Sequence, residues 1–127
     1  MIMEGNLAQG RRILLVDDEQ LVRRTLKLLL GFEKHTVVEA GDGAEGLELF
    51  RQGPFDLVIT DLDMPRMRGD KLAAKIKELA PEQPVIMITA HQRDLQTPID
   101  HADIILEKPF SNTALREALA KLLKTDR

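Results

Sequence analysis

Four short apolar runs punctuate this chain of 127 residues, and each ends in a polar side chain. Ile13-Leu14-Leu15-Val16 runs into Asp17-Asp18, and Leu57-Val58-Ile59-Thr60 into Asp61. Val85-Ile86-Met87-Ile88 runs into Thr89, and Ile104-Ile105-Leu106-Glu107 into Lys108. Near-continuous apolar runs of this length predict strands buried on both faces, as in a parallel sheet. Residues 36–40, rich in β-branched side chains, add a fifth and shorter strand, second in chain order. Between the runs the apolar spacing becomes helical. A helix over 19–30 would turn Leu21, Val22, Leu26 and Leu29 inward, with Gly31 stopping it as a C-cap. A second over 44–52 packs through Leu47 and Phe50, and a third over 69–79 repeats Leu72, Ala73, Ile76 and Leu79. The last, capped by Ser111, carries Leu115, Ala118, Leu119 and Leu122 on one stripe. Residues 91–103 contain Pro98 and few apolar positions, which predicts a short or irregular fourth helix.

Alternating strands and helices of this kind give an α/β fold with a parallel sheet. Right-handed crossovers point all the strands the same way, so their carboxyl ends share one edge. Asp17, Asp18, Asp61, Thr89 and Lys108 would then meet in one crevice. Three carboxylates so close raise one another's pKa unless a cation neutralises them. Mg²⁺ does so with oxygen ligands and completes its shell with water and phosphate oxygens. Asp61 is then available as a carboxylate nucleophile forming an acyl phosphate, with Lys108 and Thr89 contacting the phosphoryl oxygens. Each residue alone has a plainer reading. Asp17, Asp18 and Glu19 suit a helix cap, Asp61 a turn, Thr89 a strand end, and Lys108 a solvated charge. Four plain readings at four separate strand ends are improbable together.

Composition narrows the classes. Hydrophobic residues make up 43% and charged residues 31%, ordinary for one globular domain and too short a chain for two. The domain is expected over 11–125, after a flexible N-terminal segment at 1–10. A net charge of −3 offers no basic stripe, so direct nucleic-acid binding is not expected. The absence of cysteine excludes disulfides, thiolate metal sites and cysteine nucleophiles. Met1-Ile2-Met3-Glu4-Gly5 does not start a secretory signal, and no apolar run approaches the ~20 residues that span a bilayer. A cytoplasmic location without membrane attachment follows by default.

From Ile13 to about Leu123 the chain resembles the receiver domain of two-component response regulators. The matching segments are Leu15-Val16-Asp17-Asp18-Glu19, Asp61-Leu62-Asp63-Met64-Pro65-Arg66-Met67-Arg68-Gly69, Thr89-Ala90 and Lys108-Pro109-Phe110. The resemblance implies a doubly wound, flavodoxin-like receiver fold with five strands in the order 2-1-3-4-5. It implies that Asp61 takes a phosphoryl group from a histidine kinase or phosphotransfer protein, as a signalling phosphoacceptor that promotes only its own phosphorylation and dephosphorylation. Asp18 and Asp61 would bind Mg²⁺ directly, Asp17 through water, and Asp63 through its backbone carbonyl. Thr89 and Lys108 would contact the phosphate, and the Lys108-Pro109 bond would be cis. Partner contact is expected at the start of the first helix and around Pro109 and Phe110, and a phosphorylation-dependent dimer is compatible with the family.

Two departures stand out. Ile105 occupies the position, three before the lysine, where the family usually places an aromatic switch residue. The stretch from Thr89 to Lys108 is also about three residues shorter than usual, close to one helical turn. Short segments of this kind are similar to receivers fused behind hybrid histidine kinases, so a receiver excised from such a kinase is an alternative origin. His91 and Asp63, each two positions after a site residue, are expected to modulate the acyl-phosphate lifetime.

Gly41-Asp42-Gly43-Ala44-Glu45-Gly46 fits G-x-G-x-x-G, but it follows the second strand and Asp42 would repel pyrophosphate, so a helix-starting turn is the better reading. Arg68-Gly69-Asp70 reads as the start of a helix. The enzyme rival is a haloacid-dehalogenase-like phosphatase built on Asp61-Leu62-Asp63, although those enzymes carry the motif after their first strand. A flavodoxin-like binding module without Mg²⁺ or phosphoryl chemistry is the third possibility.

Overall fold

The apolar runs become strands β1 (Arg12–Val16), β2 (Thr36–Ala40), β3 (Leu57–Asp61), β4 (Val85–Thr89) and β5 (Ile104–Glu107). The computed structural model describes residues 10–90 and 99–123. All strand pairs are parallel, in the order β2-β1-β3-β4-β5. Helices α1 (Gln20–Gly31), α2 (Gly43–Arg51), α3 (Gly69–Leu79) and α4 (Asn112–Leu122) flank the sheet. Residues 1–9 of the expected N-terminal segment and 91–98 of the short helical stretch expected after β4, with His91 and Pro98, lie outside the described residues.

Alternation along the strands divides the core into two layers. Leu14, Val16, Val58, Val85 and Met87 pack with Leu47 and Phe50 of α2 and Leu72, Ala73 and Ile76 of α3. Ile13, Leu15, Leu57, Ile59, Ile86 and Ile88 pack with Leu26 and Leu30 of α1 and Leu115, Ala118 and Leu119 of α4. Helices on both faces explain why β1, β3 and β4 are almost wholly apolar. The order reverses between β1 and β3, which makes their carboxyl ends the topological switch point where such sheets bind ligands.

Some sequence expectations are corrected. β5 is an edge strand, and its residues are half-buried or exposed rather than covered on both faces. Leu21 is 79% exposed. At 100° per residue it lies roughly 140° around α1 from the buried Leu26, while Val22 and Leu29 do pack inward. Leu79, on the last turn of α3, is also exposed. Gly31 is the final residue of α1 and not a left-handed C-cap. Phe32 follows in right-handed geometry, and Lys34 takes the positive φ of 66° instead. Ser111 caps α4 as expected, accepting the Ala114 N–H at 2.9 Å.

At the amino ends of the strands, polar brackets hold the elements together. The Asp103 carboxylate accepts from Lys77 Nζ at 2.9 Å and from the Val85 N–H at 2.8 Å, tying α3 to β4 and to the start of β5. Buried His35 accepts the Arg11 N–H at Nδ1, 3.2 Å away. Burial holds His35 below its ordinary 6.5, helped by Arg11 and opposed by Glu33 and Asp56. Protonation removes the acceptor, so the folded chain binds fewer protons than the unfolded one just below pH 6.5. This contribution to stability is complete above pH 6.5 and is lost as the pH falls from there through the lower folded value. Urea unfolding from pH 5 to 8 is expected to show a flatter profile for His35→Gln than for the wild type, and parallel profiles would exclude this role.

Candidate functional site

The end of β1 delivers Asp17 into the switch-point crevice with its surroundings fixed. Asp17 is 1% exposed, and its N–H donates to the Ala40 carbonyl at 3.1 Å. Oδ1 accepts the Glu19 N–H at 2.8 Å, which turns the chain into α1. Oδ2 is buried and has no hydrogen-bond partner. Glu19 stands at the N-cap position without a side-chain cap bond, so it is Asp17 that receives the loop amide. Asp18 is exposed and lines the crevice with Glu19.

β3 is buried throughout and ends on Asp61, 6% exposed. Lys108, directly after β5, places Nζ 3.3 Å from Asp61 Oδ1. The Lys108 N–H donates to the Thr89 carbonyl at 2.8 Å, and the Lys108-Pro109 peptide is cis, as the resemblance implies. Thr89 is fully buried at the end of β4, one residue before Ala90. Asp18, Glu19, Asp61, Asp63, Ala90 and Lys108 line an open cleft of about 360 Å³. The structure thus gathers at one sheet edge every strand-end residue singled out in the sequence.

Asp63 reaches the cleft but its carboxylate is not part of the acidic cluster; Arg68 Nη1 lies 3.5 Å from its Oδ1. Ile105, the departure from the family's usual aromatic, is half-buried against the layer that contains Met87.

Two residues that position the site had gone unremarked in that role. A β-carbon on Gly69 would overlap the Asp61 carbonyl oxygen and lie 2.9 Å from the Asp61 carbonyl carbon. Only glycine lets the start of α3 come this close, with the Gly69 N–H donating to the Leu62 carbonyl at 2.9 Å. Arg23 of α1 donates from Nη1 to the Asp17 carbonyl at 2.6 Å. From the sequence Gly69 reads only as a helix start and Arg23 has no assigned role, because both act through backbone atoms of residues outside their own helices.

Electrostatics concentrate where the carboxylates meet. Burial, and then the negative charge of Asp17, push Asp61 up from 3.8 to about 6, with Lys108 opposing. Asp17 is also raised, chiefly by burial, with the Glu19 N–H and Lys108 opposing. Burial alone would lower Lys108, but Asp61 and Asp17 outweigh it, so the ammonium is held above its ordinary value. One oxygen from each of Asp17, Asp18 and Asp61 lies within 4.8 Å of the others. Hard oxygen donors from three carboxylates, one of which, Asp17, keeps a buried oxygen without a partner, fit a hard divalent cation.

The family profile described as response regulator receiver domain matches residues 13–120. The chain belongs to this family. It is 37% identical over 131 aligned positions to chemotaxis protein CheY-3 of Vibrio cholerae, covering 96% of this chain and 98% of that one. It is 31% identical to the autoinducer 1 sensor kinase/phosphatase LuxN of Vibrio campbellii, over 91% of this chain but 14% of the kinase. Relatives therefore include both a protein of this length and a much longer kinase.

Solved structures agree with the assignment. A response regulator receiver domain protein from Clostridium thermocellum superposes with a TM-score of 0.82 at 32% identity, covering 89% of this chain and 94% of that one. The response regulator TrrA from Thermotoga maritima, solved in complex with Mg²⁺ and BeF, gives 0.80 at 36%, covering 89% and 99%. The chain is accordingly a phosphoacceptor receiver of a two-component system. The dehalogenase-like alternative finds no support, since Asp61-Leu62-Asp63 follows the third strand.

The glycine-rich decoy is also resolved. Asp42 caps α2 by accepting the Glu45 N–H, and Glu45 returns to the Gly41 N–H, both at 2.8 Å. A β-carbon would strike Met67 at Gly43 and Val16 at Gly46, so these glycines serve packing. Arg68-Gly69-Asp70 opens α3, as read from the sequence. Among the described residues no helix is long and apolar enough to cross a membrane.

Proposed function

We propose that Asp61 is the phosphoacceptor of this receiver, that Asp17, Asp18 and Asp61 form its Mg²⁺ site, and that Lys108 and Thr89 bind the transferred group. The observation that carries this reading is the approach of Lys108 Nζ to the buried Asp61 carboxylate beside the acidic cluster. Asp17 would hold the ion through water, and the Asp63 carbonyl would complete the protein's share. Bound Mg²⁺ supplies positive charge to the phosphoryl oxygens and relieves the repulsion among the carboxylates.

The donor is a phosphohistidine on a histidine kinase or phosphotransfer protein, which makes the cytoplasm the site of action. An Asp61 carboxylate oxygen forms a bond to phosphorus as the histidine N–P bond breaks. The imidazole departs with the electron pair and takes a proton from solvent. Lys108 starts on Asp61 and neutralises charge that the phosphoryl oxygens bring into the cleft. Thr89 donates its hydroxyl to a further oxygen and so registers that the group has arrived. The donor docks on the exposed start of α1 and the turn at Pro109 and Phe110. With Ile105 in place of an aromatic ring, output does not depend on burial of a ring at that position.

Uptake and response divide between residues, and the division is testable with BeF and Mg²⁺ followed by backbone amide shifts. The wild type is expected to shift at Asp61, Thr89 and Lys108 only when Mg²⁺ is present. Lys108→Ala is expected to keep the shift at Asp61 and lose those farther from the cleft. Shifts without Mg²⁺, or equal loss at all positions in the variant, would contradict these roles.

A further inference from the structure

We infer that Arg23 is a positioning residue for the divalent-cation site, setting its affinity by locking the backbone of Asp17. This rests on the proposed Mg²⁺ site. Asp17 is held at three of its four hydrogen-bonding positions. Its N–H donates to Ala40 at 3.1 Å, its Oδ1 accepts from Glu19 at 2.8 Å, and its carbonyl accepts from Arg23 Nη1 at 2.6 Å. The fourth, Oδ2, is the buried oxygen without a partner. A residue fixed at every other polar atom has one orientation to offer, and that orientation holds its carboxylate with those of Asp18 and Asp61, one oxygen of each within 4.8 Å of the others.

The guanidinium is itself held. Arg23 Nε donates to Glu39 Oε1 at 3.0 Å, and Lys27 Nζ pairs with Glu39 Oε2 at 3.1 Å. The Arg23 and Glu39 side chains are only 16% and 26% exposed, so this is no loose surface pair. The planar fork serves two acceptors at once, one on the β1–α1 turn and one on β2. A lysine ammonium has no such fixed fork. Outer residues that orient metal ligands commonly contribute tenfold or more to affinity.

Charge separates this role from a simple through-space effect. Arg23 carries the same sign as the metal, so removing its charge alone would tighten cation binding. Loss of the positioning bond acts the other way. Arg23→Met, Arg23→Lys and Glu39→Gln are compared with the wild type by calorimetry with Mg²⁺ and by the electron paramagnetic resonance of free Mn²⁺. Thermal unfolding in EDTA reports folding separately.

Arg23→Met is expected to bind both ions about tenfold more weakly. Arg23→Lys should fall between it and the wild type, and Glu39→Gln should weaken binding less. Adding Glu39→Gln to Arg23→Met should cause no further loss, because Glu39 acts through Arg23. Unchanged or tighter binding in Arg23→Met overturns the inference, as do additive losses in the double variant. Should Arg23→Met fail to fold, full affinity in both Arg23→Lys and Glu39→Gln overturns it equally. Failure of the wild type to bind either ion would remove the metal site itself, and this inference with it.

Discussion

Asp61→Asn is expected to reduce phosphoryl uptake by more than about a thousandfold, measured with a labelled kinase phosphohistidine as donor. The amide lacks the anionic oxygen that must form the bond to phosphorus, and nothing else in the cleft replaces it. Asp17 is buried with its backbone fixed, and Asp18 faces solvent. The same substitution should stabilise the metal-free protein at neutral pH. With its folded value near 6 against 3.8, Asp61 makes the folded chain bind more protons than the unfolded one between those limits. Stability in EDTA therefore falls as the pH rises through that window, by about 3 kcal/mol at most at 1.36 kcal/mol per unit. Removing the charge recovers part of this, less what is lost by leaving Lys108 without its carboxylate. Urea unfolding in EDTA at pH 7 is expected to show Asp61→Asn more stable by about 1–2 kcal/mol. A destabilised variant would mean that the Lys108 pair outweighs burial.

Gly69→Ala should be the most damaging single-methyl change in the described structure. The added carbon meets the backbone of Asp61 and Leu62 rather than a flexible side chain, so either α3 or the end of β3 must move. Overpacking against backbone is expected to destabilise by about 3 kcal/mol, lowering the melting temperature by about 10 °C. Any folded fraction should take up phosphoryl more slowly, because the Asp61 carbonyl and carboxylate shift together. Gly31→Ala provides the control. Nothing lies within 4 Å of a β-carbon there and the residue is helical, so its effect should be neutral or slightly stabilising. Equal melting temperatures for the two variants would show that the α3 start has room to yield.

Legibility in the sequence followed how local the signal was. β1, β3 and β4 stood out because burial on both faces demands unbroken apolar runs, and the parallel sheet then forces their ends together. Asp17, Asp18, Asp61 and Thr89 were legible for that reason, and Lys108 through the apolar run that precedes it. The limits of α3 were equally clear, since Gly69 and Pro81 bracket it. Leu21 misled because a leucine beside an apolar stripe is indistinguishable by type from one on it; only its angle about α1 exposes it. Gly31 misled because a glycine at a helix end has two uses, and here the left-handed turn falls at Lys34. β5 was expected at the edge, but its apolar run suggested fuller burial than an edge strand has, because composition does not reveal how much neighbouring structure covers it. Arg23 and Gly69 were hidden for another reason: each acts on a backbone carbonyl, and every residue offers one, so side-chain identity does not mark the partner.

The central claim is that phosphoryl transfer ends on the Asp61 carboxylate at a divalent-cation site made by the ends of β1 and β3. The most direct measurement phosphorylates the chain from a kinase phosphohistidine, reduces the acyl phosphate with tritiated borohydride, and locates tritium by peptide mapping. Label confined to position 61, present with Mg²⁺ and absent in EDTA, is the expected result. Label on Asp17, Asp18 or a histidine, or label at position 61 that is indifferent to EDTA, would contradict it.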